Sequence, residues 1–174
     1  MKKIIALLLV AVLLPGCTPK DVPLSDTLTK DDLIIYDKDF NVAADPFENE
    51  DGLAVALGFP IDEDLQTSRG IMVGSRLEDV HEKYSNCKFQ CQSIKHFDQV
   101  KGVSFDDFCD RYEEFRDDDL LTLIFPADNY GNLEIRIKDG TVHSIHTYSA
   151  AGLELREKAV QEKMKELDEK YAAG

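Results

Sequence analysis

The stretch that decides the fold is residues 119–150, "DLLTLIFPADNYGNLEIRIKDGTVHSIHTYSA". Leu120 to Phe125 is an apolar run of strand length. Leu133, Ile135 and Ile137 then alternate with Glu134, Arg136 and Lys138, the period of a strand with one buried face. Asp139-Gly140 is a favoured two-residue hairpin turn, and a third strand follows from Thr141 to about Tyr148. Counting across that turn pairs Val142 with Ile137 on the buried face but sets Ile145 opposite Glu134, so either a bulge intervenes or both faces are covered. The core of the protein is therefore expected to be an antiparallel meander.

Short helices and a hairpin surround it. Leu33 to Tyr36, a turn-forming cluster and a second short run read as a hairpin. Asp45 as N-cap, Pro46 and Glu48 inside the first turn, and Gly58 and Pro60 past the end predict a helix from about Pro46 to Leu57. Ser75 and Glu78 form an S-x-x-E capping box ahead of Leu77, Val80 and Tyr84, which predicts another. Ser104 and Asp107 predict a third through Tyr112. The closing segment from about 153 to 171 carries Leu153, Val160, Met164, Leu167 and Tyr171 on one helical stripe. This helix is expected to pack on the sheet; the alternative is a helical dimer. The expected class is α+β, an antiparallel sheet packed by short helices with an added C-terminal helix.

The N-terminus gives the location. Lys2 and Lys3 precede eleven apolar residues, Ile4 to Leu14, whereas a spanning helix takes about 20. Basic start, short apolar run and small residue make residues 1–16 a secretory signal peptide. Leu14, Gly16 and Cys17 fit a bacterial lipobox, with Pro15 departing from its usual middle residue. Cys17 is accordingly the expected lipidation site, carrying diacylglycerol and an N-acyl chain. The protein is expected to be exported and held at the membrane. Residues 17–31 read as a flexible polar tether and 32–174 as a single domain. The chain has 34 acidic against 20 basic residues. Such a surface is repelled by nucleic acid, which is excluded as a partner.

Candidate chemistry is sparse. Cys87, Cys91 and Cys109 are spaced for neither a C-x-x-C redox site nor a zinc finger. A disulfide from Cys109 to Cys87 or Cys91 is expected, closing a loop of about 20 residues and worth about 3 kcal/mol. Zinc held by these cysteines with His96 is the alternative. Asp37, Asp39, Asn41, Asp45 and Glu48 carry oxygens at the spacing of an EF-hand calcium loop, but its turn glycine is replaced by Val42. His143 and His146 differ by an odd number along a strand and face opposite sides. "RDDDL", residues 116–120, reads as a solvated turn. No nucleophile, base and orienting group can be assembled, so no enzyme and no cofactor are expected.

"TSRGIMVGSRLEDVHEKYSN", residues 67–86, and the "LEIRIKDGTVHSIH" hairpin resemble the small secreted bacterial lipoproteins with a β-lactamase-inhibitor-like (BLIP-like) fold, over about Leu33 to Ala150. The resemblance implies short helix pairs against an antiparallel sheet, and a role in protein binding as inhibitor or assembly scaffold. The cysteine-bearing insertion and the charged C-terminal helix depart from that pattern. The expected function is thus a membrane-anchored, non-enzymatic protein-interaction or envelope scaffold module, with another protein as partner. An exposed aromatic patch around Tyr130 and Tyr148 is its expected surface. The alternative is a surface ligand- or metal-binding lipoprotein.

Overall fold

The computed structural model describes residues 26–57, 64–118 and 121–172. They form an α+β fold with two antiparallel sheets. Strands β1 (Ile35–Tyr36), β2 (Val42–Ala44) and β4 (Gln66–Thr67) make a small sheet in the order β2-β1-β4. Strands β3 (Leu53–Leu57), β5 (Gln90–Gln92), β6 (Leu121–Ala127), β7 (Gly131–Lys138) and β8 (Thr141–Ser149) make the main sheet, ordered β3-β8-β7-β6-β5. The helices are α1 (Leu77–Tyr84), α2 (Phe97–Val100), α3 (Phe105–Asp110), α4 (Tyr112–Phe115) and α5 (Ala150–Ala172).

The β7–β8 hairpin forms as the alternation requires. Asp139 and Gly140 both take positive φ, at 50° and 75°, which is the type I′ turn of a two-residue hairpin. Ile137 pairs with Val142, but Arg136 already pairs with Ser144, so His143 is an extra residue on β8. This bulge resolves the register conflict. It puts Ile145 opposite Ile135, so Val142 and Ile145 share the core face despite their odd spacing.

On that face Leu121, Leu123, Phe125, Leu133, Ile135 and Ile137 are buried beneath the helical layer. α1 contributes Leu77, Val80 and Tyr84; α3 contributes Phe105 and Phe108; α4 contributes Tyr112 and Phe115. The aromatics of 86–119 show no clear period in sequence; all but the exposed Phe97 meet here. Phe89 stacks on Phe105 with centroids 4.6 Å apart, and Phe108 on Phe115 at 5.8 Å. Ser104 caps α3 by accepting from the Asp107 N–H, as its spacing predicts. The cap of α1 lies one residue later than expected: the Asp79 carboxylate accepts from the Arg76 N–H at 2.9 Å, while Ser75 Oγ accepts from the Met72 N–H.

A buried ion pair ties the N-terminal segment to this layer. Arg69 Nε donates to Asp32 Oδ1 at 3.1 Å, Arg69 Nη1 donates to the Lys83 carbonyl at 2.9 Å, and the guanidinium lies 4.8 Å from the Tyr84 ring centroid. Asp32 also accepts from the Thr29 N–H and the Ser68 hydroxyl. Burial raises the Asp32 carboxyl, but the bonds from Thr29, Ser68 and Arg69 outweigh it and hold it below the ordinary carboxylate range. Leu28 is buried with the core, so the packed domain begins inside the segment expected to be tether.

Two expected elements are corrected. Residues 46–52 are turns and 53–57 are β3, in place of a helix from Pro46 to Leu57. Asp45 Oδ1 accepts from the Phe47 N–H, but the chain turns again at Asn49 and passes Gly52 at φ 63°, which no right-handed helix contains. "LAVAL" then pairs with β8 as an edge strand, from Leu53 opposite Tyr148 to Leu57 opposite Ser144. The other correction is α5. It meets the sheet only at its start, where Gly152 packs on Gly52 and Arg156 bonds Glu134 at 2.6 Å. From Glu154 to Tyr171 every residue is exposed.

Gly52 is required for two reasons. Its φ is positive, and a Cβ there would lie 2.6 Å from the Gly152 Cα and 2.4 Å from Ser149 Oγ. Gly52→Ala should therefore lower the unfolding free energy by about 2–3 kcal/mol. Urea denaturation of the variant beside the parent protein measures it.

Candidate functional site

A cleft of about 790 Å³ opens between α1, α3, α4 and the β7–β8 turn. Arg76, Glu78 and His81 line it from α1 and its cap. Asp106, Cys109 and Asp110 face them from α3, with Glu113 from α4 and Arg116 just past its end. Helical spacing places each group: His81 follows Leu77 by one turn, and Asp106, Cys109 and Asp110 sit three and four residues apart on one side of α3.

The floor is held by a side chain bonded to the turn. Tyr112 Oη accepts from the Gly140 N–H at 2.6 Å, and Leu77 N–H donates to the Gly140 carbonyl at 2.9 Å. At one wall His81 Nε2 lies 2.6 Å from Asp106 Oδ1, with the imidazole edge-on to Phe105 at 5.2 Å. Arg76 pairs with Glu78 at 3.0 Å, and Arg116 with Glu113 at 3.5 Å. Asp110 and Asp139 have no ion-pair partner among the described residues. The cleft therefore carries surplus negative charge and suits a cationic group better than an anionic one.

Cys109 stands beside a His–Asp pair, yet its surroundings oppose nucleophilic use. Burial, reinforced by the negative charges of Asp106, Asp110 and Glu78, pushes its thiol up to about 12. At neutral pH it is a protonated thiol rather than a thiolate.

The expected disulfide is not formed; no two of Cys87, Cys91 and Cys109 stand at bonding distance. They lie in separate places. Cys87 packs after α1 with its Sγ 3.4 Å from Arg69 Nη1, Cys91 sits on β5 opposite Leu123, and Cys109 lines the cleft from α3. Burial, with Asp118 adding to it, also pushes the Cys91 thiol up to about 12. Nor do the cysteines gather around His96, whose Nε2 is 2.6 Å from Asp117 Oδ1. Asp118, in the segment expected to be solvated, is buried and accepts from the Lys95 N–H and the Ser93 hydroxyl.

The calcium spacing is taken up by turn chemistry. Asp37 accepts from the Asp39 and Asn41 N–H groups and from Asn41 Nδ2, closing the β1–β2 hairpin around Phe40 at φ 60°. Asp45 is engaged with Phe47, and the Glu48 N–H closes the same turn by donating to the Asp45 carbonyl. Among the described residues no group of three or more His, Cys, Asp or Glu side chains could hold a metal ion. The sheet face opposite the helices does not present the expected aromatic patch. Tyr148 is buried, with the Arg156 guanidinium 4.9 Å from its ring centroid, while Tyr130 is exposed at a turn. His146, on this same face, is pushed down to about 4 by burial and then by Arg136 and Arg156. Cys17, Leu14 and Gly16 lie outside the described residues.

Sequence reasoning missed the cleft and the Asp32–Arg69 pair. Each joins residues tens of positions apart, and the only local signal was Asp139-Gly140, read as a turn and not as a cleft wall. No protein-family model, no curated protein and no solved structure matches the chain.

The Cys109 thiol should react with a disulfide reagent at pH 7.5 at least about tenfold more slowly than a free cysteine, and unfolding should restore the ordinary rate. A native rate equal to that of free cysteine would show that the cleft does not hold the thiol protonated.

Proposed function

We propose that the chain is a membrane-anchored bacterial lipoprotein whose acidic α+β domain works as a non-enzymatic protein-interaction or envelope scaffold module. The observation that carries this reading is the segment 14–20, "LPGCTPK", at the end of the apolar run Ile4 to Leu14: Leu14, Gly16 and Cys17 are placed for lipidation and cleavage before Cys17. Among the described residues no helix is long and apolar enough to cross a membrane. Acyl chains on Cys17 would hold the domain at the membrane, since its charge is repelled by anionic headgroups.

Two features support protein binding over catalysis. The cleft offers a thiol held protonated, which is a poor nucleophile. The apolar stripe of α5 is exposed along one side of the helix, as the apolar surface of an interaction site is. The resemblance to BLIP-like lipoproteins points the same way, toward binding another protein.

Fractionation of cells expressing the chain tests the anchor. The parent protein should sediment with membranes and incorporate labelled palmitate, globomycin should cause its precursor to build up, and Cys17→Ser should leave it unlabelled. A mature N-terminus found by mass spectrometry to be non-acylated would defeat the reading.

A further inference from the structure

The geometry points to a second copy of this chain as the occupant of the α5 stripe, the two helices lying side by side and running in the same direction. This deepens the proposed interaction role by naming its partner, and it rests on α5 alone rather than on the anchor. The starting observation is that Val160 (55%), Met164 (55%), Leu167 (37%) and Tyr171 (81%) are exposed on one side of a helix. Their own domain does not cover them, because α5 leaves the sheet after Arg156.

Their spacing is that of a coiled-coil seam. Val160 and Leu167 are seven apart and occupy the d position; Met164 and Tyr171 are seven apart and occupy a. The flanking charges then select the occupant. The g positions are Arg156, Lys163 and Lys170, all basic, and the e positions are Glu154, Gln161 and Asp168, acidic or amide. In a parallel pair each g faces the e of the next heptad on the partner, so Lys163 of each copy faces Asp168 of the other. An antiparallel pair would set lysine against lysine and acid against acid.

Neither charge is taken up by the other within one helix, since Lys163 and Asp168 flank the seam on opposite sides. Lys163 does lie 2.9 Å from Glu166, but that pair is exposed and holds it weakly. The helix is also nearly neutral, so two copies can approach along it with little net repulsion. It has five basic and six acidic residues, against 20 and 34 in the whole chain. The seam is short, and if both copies share a membrane their effective concentration compensates for that.

Disulfide trapping in the full-length chain tests this. Leu167→Cys, and independently Tyr171→Cys, should give a band of twice the monomer mass on mild oxidation in cells, while Glu162→Cys on the outer side of the helix should not. Adding Lys163→Glu to Leu167→Cys should reduce the band about fivefold. Adding Asp168→Lys as well should restore it, because the cross-helix pair is re-formed with its signs exchanged. Absence of the band at both seam positions, equal yields at 162 and 167, failure of the restoring substitution, or a band containing a different protein would each overturn the inference. Band and fractionation are read separately: a membrane-bound chain without the band rejects the pairing and keeps the anchor, and a soluble chain with the band does the reverse.

Discussion

The pairing of Asp32 with Arg69 is the contact on which the arrangement of layers depends. A guanidinium buried next to a carboxylate is tolerated only when the remaining donors and acceptors are satisfied. Here they are, and each bond reaches a different part of the fold. Asp32 gathers Thr29 and Ser68, and Arg69 reaches the Lys83 carbonyl at the end of α1 and the face of Tyr84. Tyr84 in turn donates to Thr67 Oγ1 on β4. The small sheet, the N-terminal segment and α1 thus meet at one desolvated node, next to the aromatic layer on the main sheet.

That arrangement leaves two surfaces open. The helices close one face of the main sheet and leave a negatively charged cleft at the β7–β8 turn. The opposite face is sealed at one end by Arg156, which bonds Glu134 and covers Tyr148. Sealing that end directs α5 outward. A helix whose apolar side is exposed over several turns is stabilised chiefly by what it packs against. In the reading proposed here, the anchor supplies location and α5 supplies association, while the node ties the layers of the domain together.

What could be read from the sequence is what local physics decides. The β7–β8 hairpin follows from strict alternation and an Asp-Gly turn, and the cap of α3 follows from Ser104 and Asp107. The failures are places where a distant contact outvotes a local signal. Asp45, Pro46 and Glu48 carry every mark of a helix start, yet Gly52 must approach Gly152, about a hundred residues away, and "LAVAL" is needed as the edge strand beside β8. The bulge at His143 could be suspected from the register but not placed. The stripe on α5 was visible; that the sheet would not take it was not, because this depends on Arg156 finding Glu134. The buried aromatics of 86–119 lack a period because they come from a loop and separate short helices: Phe89 and Phe105 meet Phe125, and Phe108 joins them to Tyr112 and Phe115.

The node can be tested by a double-mutant cycle. Urea unfolding at pH 7 of the parent, Asp32→Asn, Arg69→Met and the double variant gives the coupling energy between the two side chains. Each single change should cost about 3 kcal/mol, and the double change little more than one of them. The acid side gives an independent signature. Asp32 titrates lower folded than unfolded, so its contribution is present above pH 4 and lost as the pH falls through the folded value. Asp32→Asn should lack that part of the acid sensitivity. Additive losses in the cycle, with an acid profile unchanged by Asp32→Asn, would contradict the account.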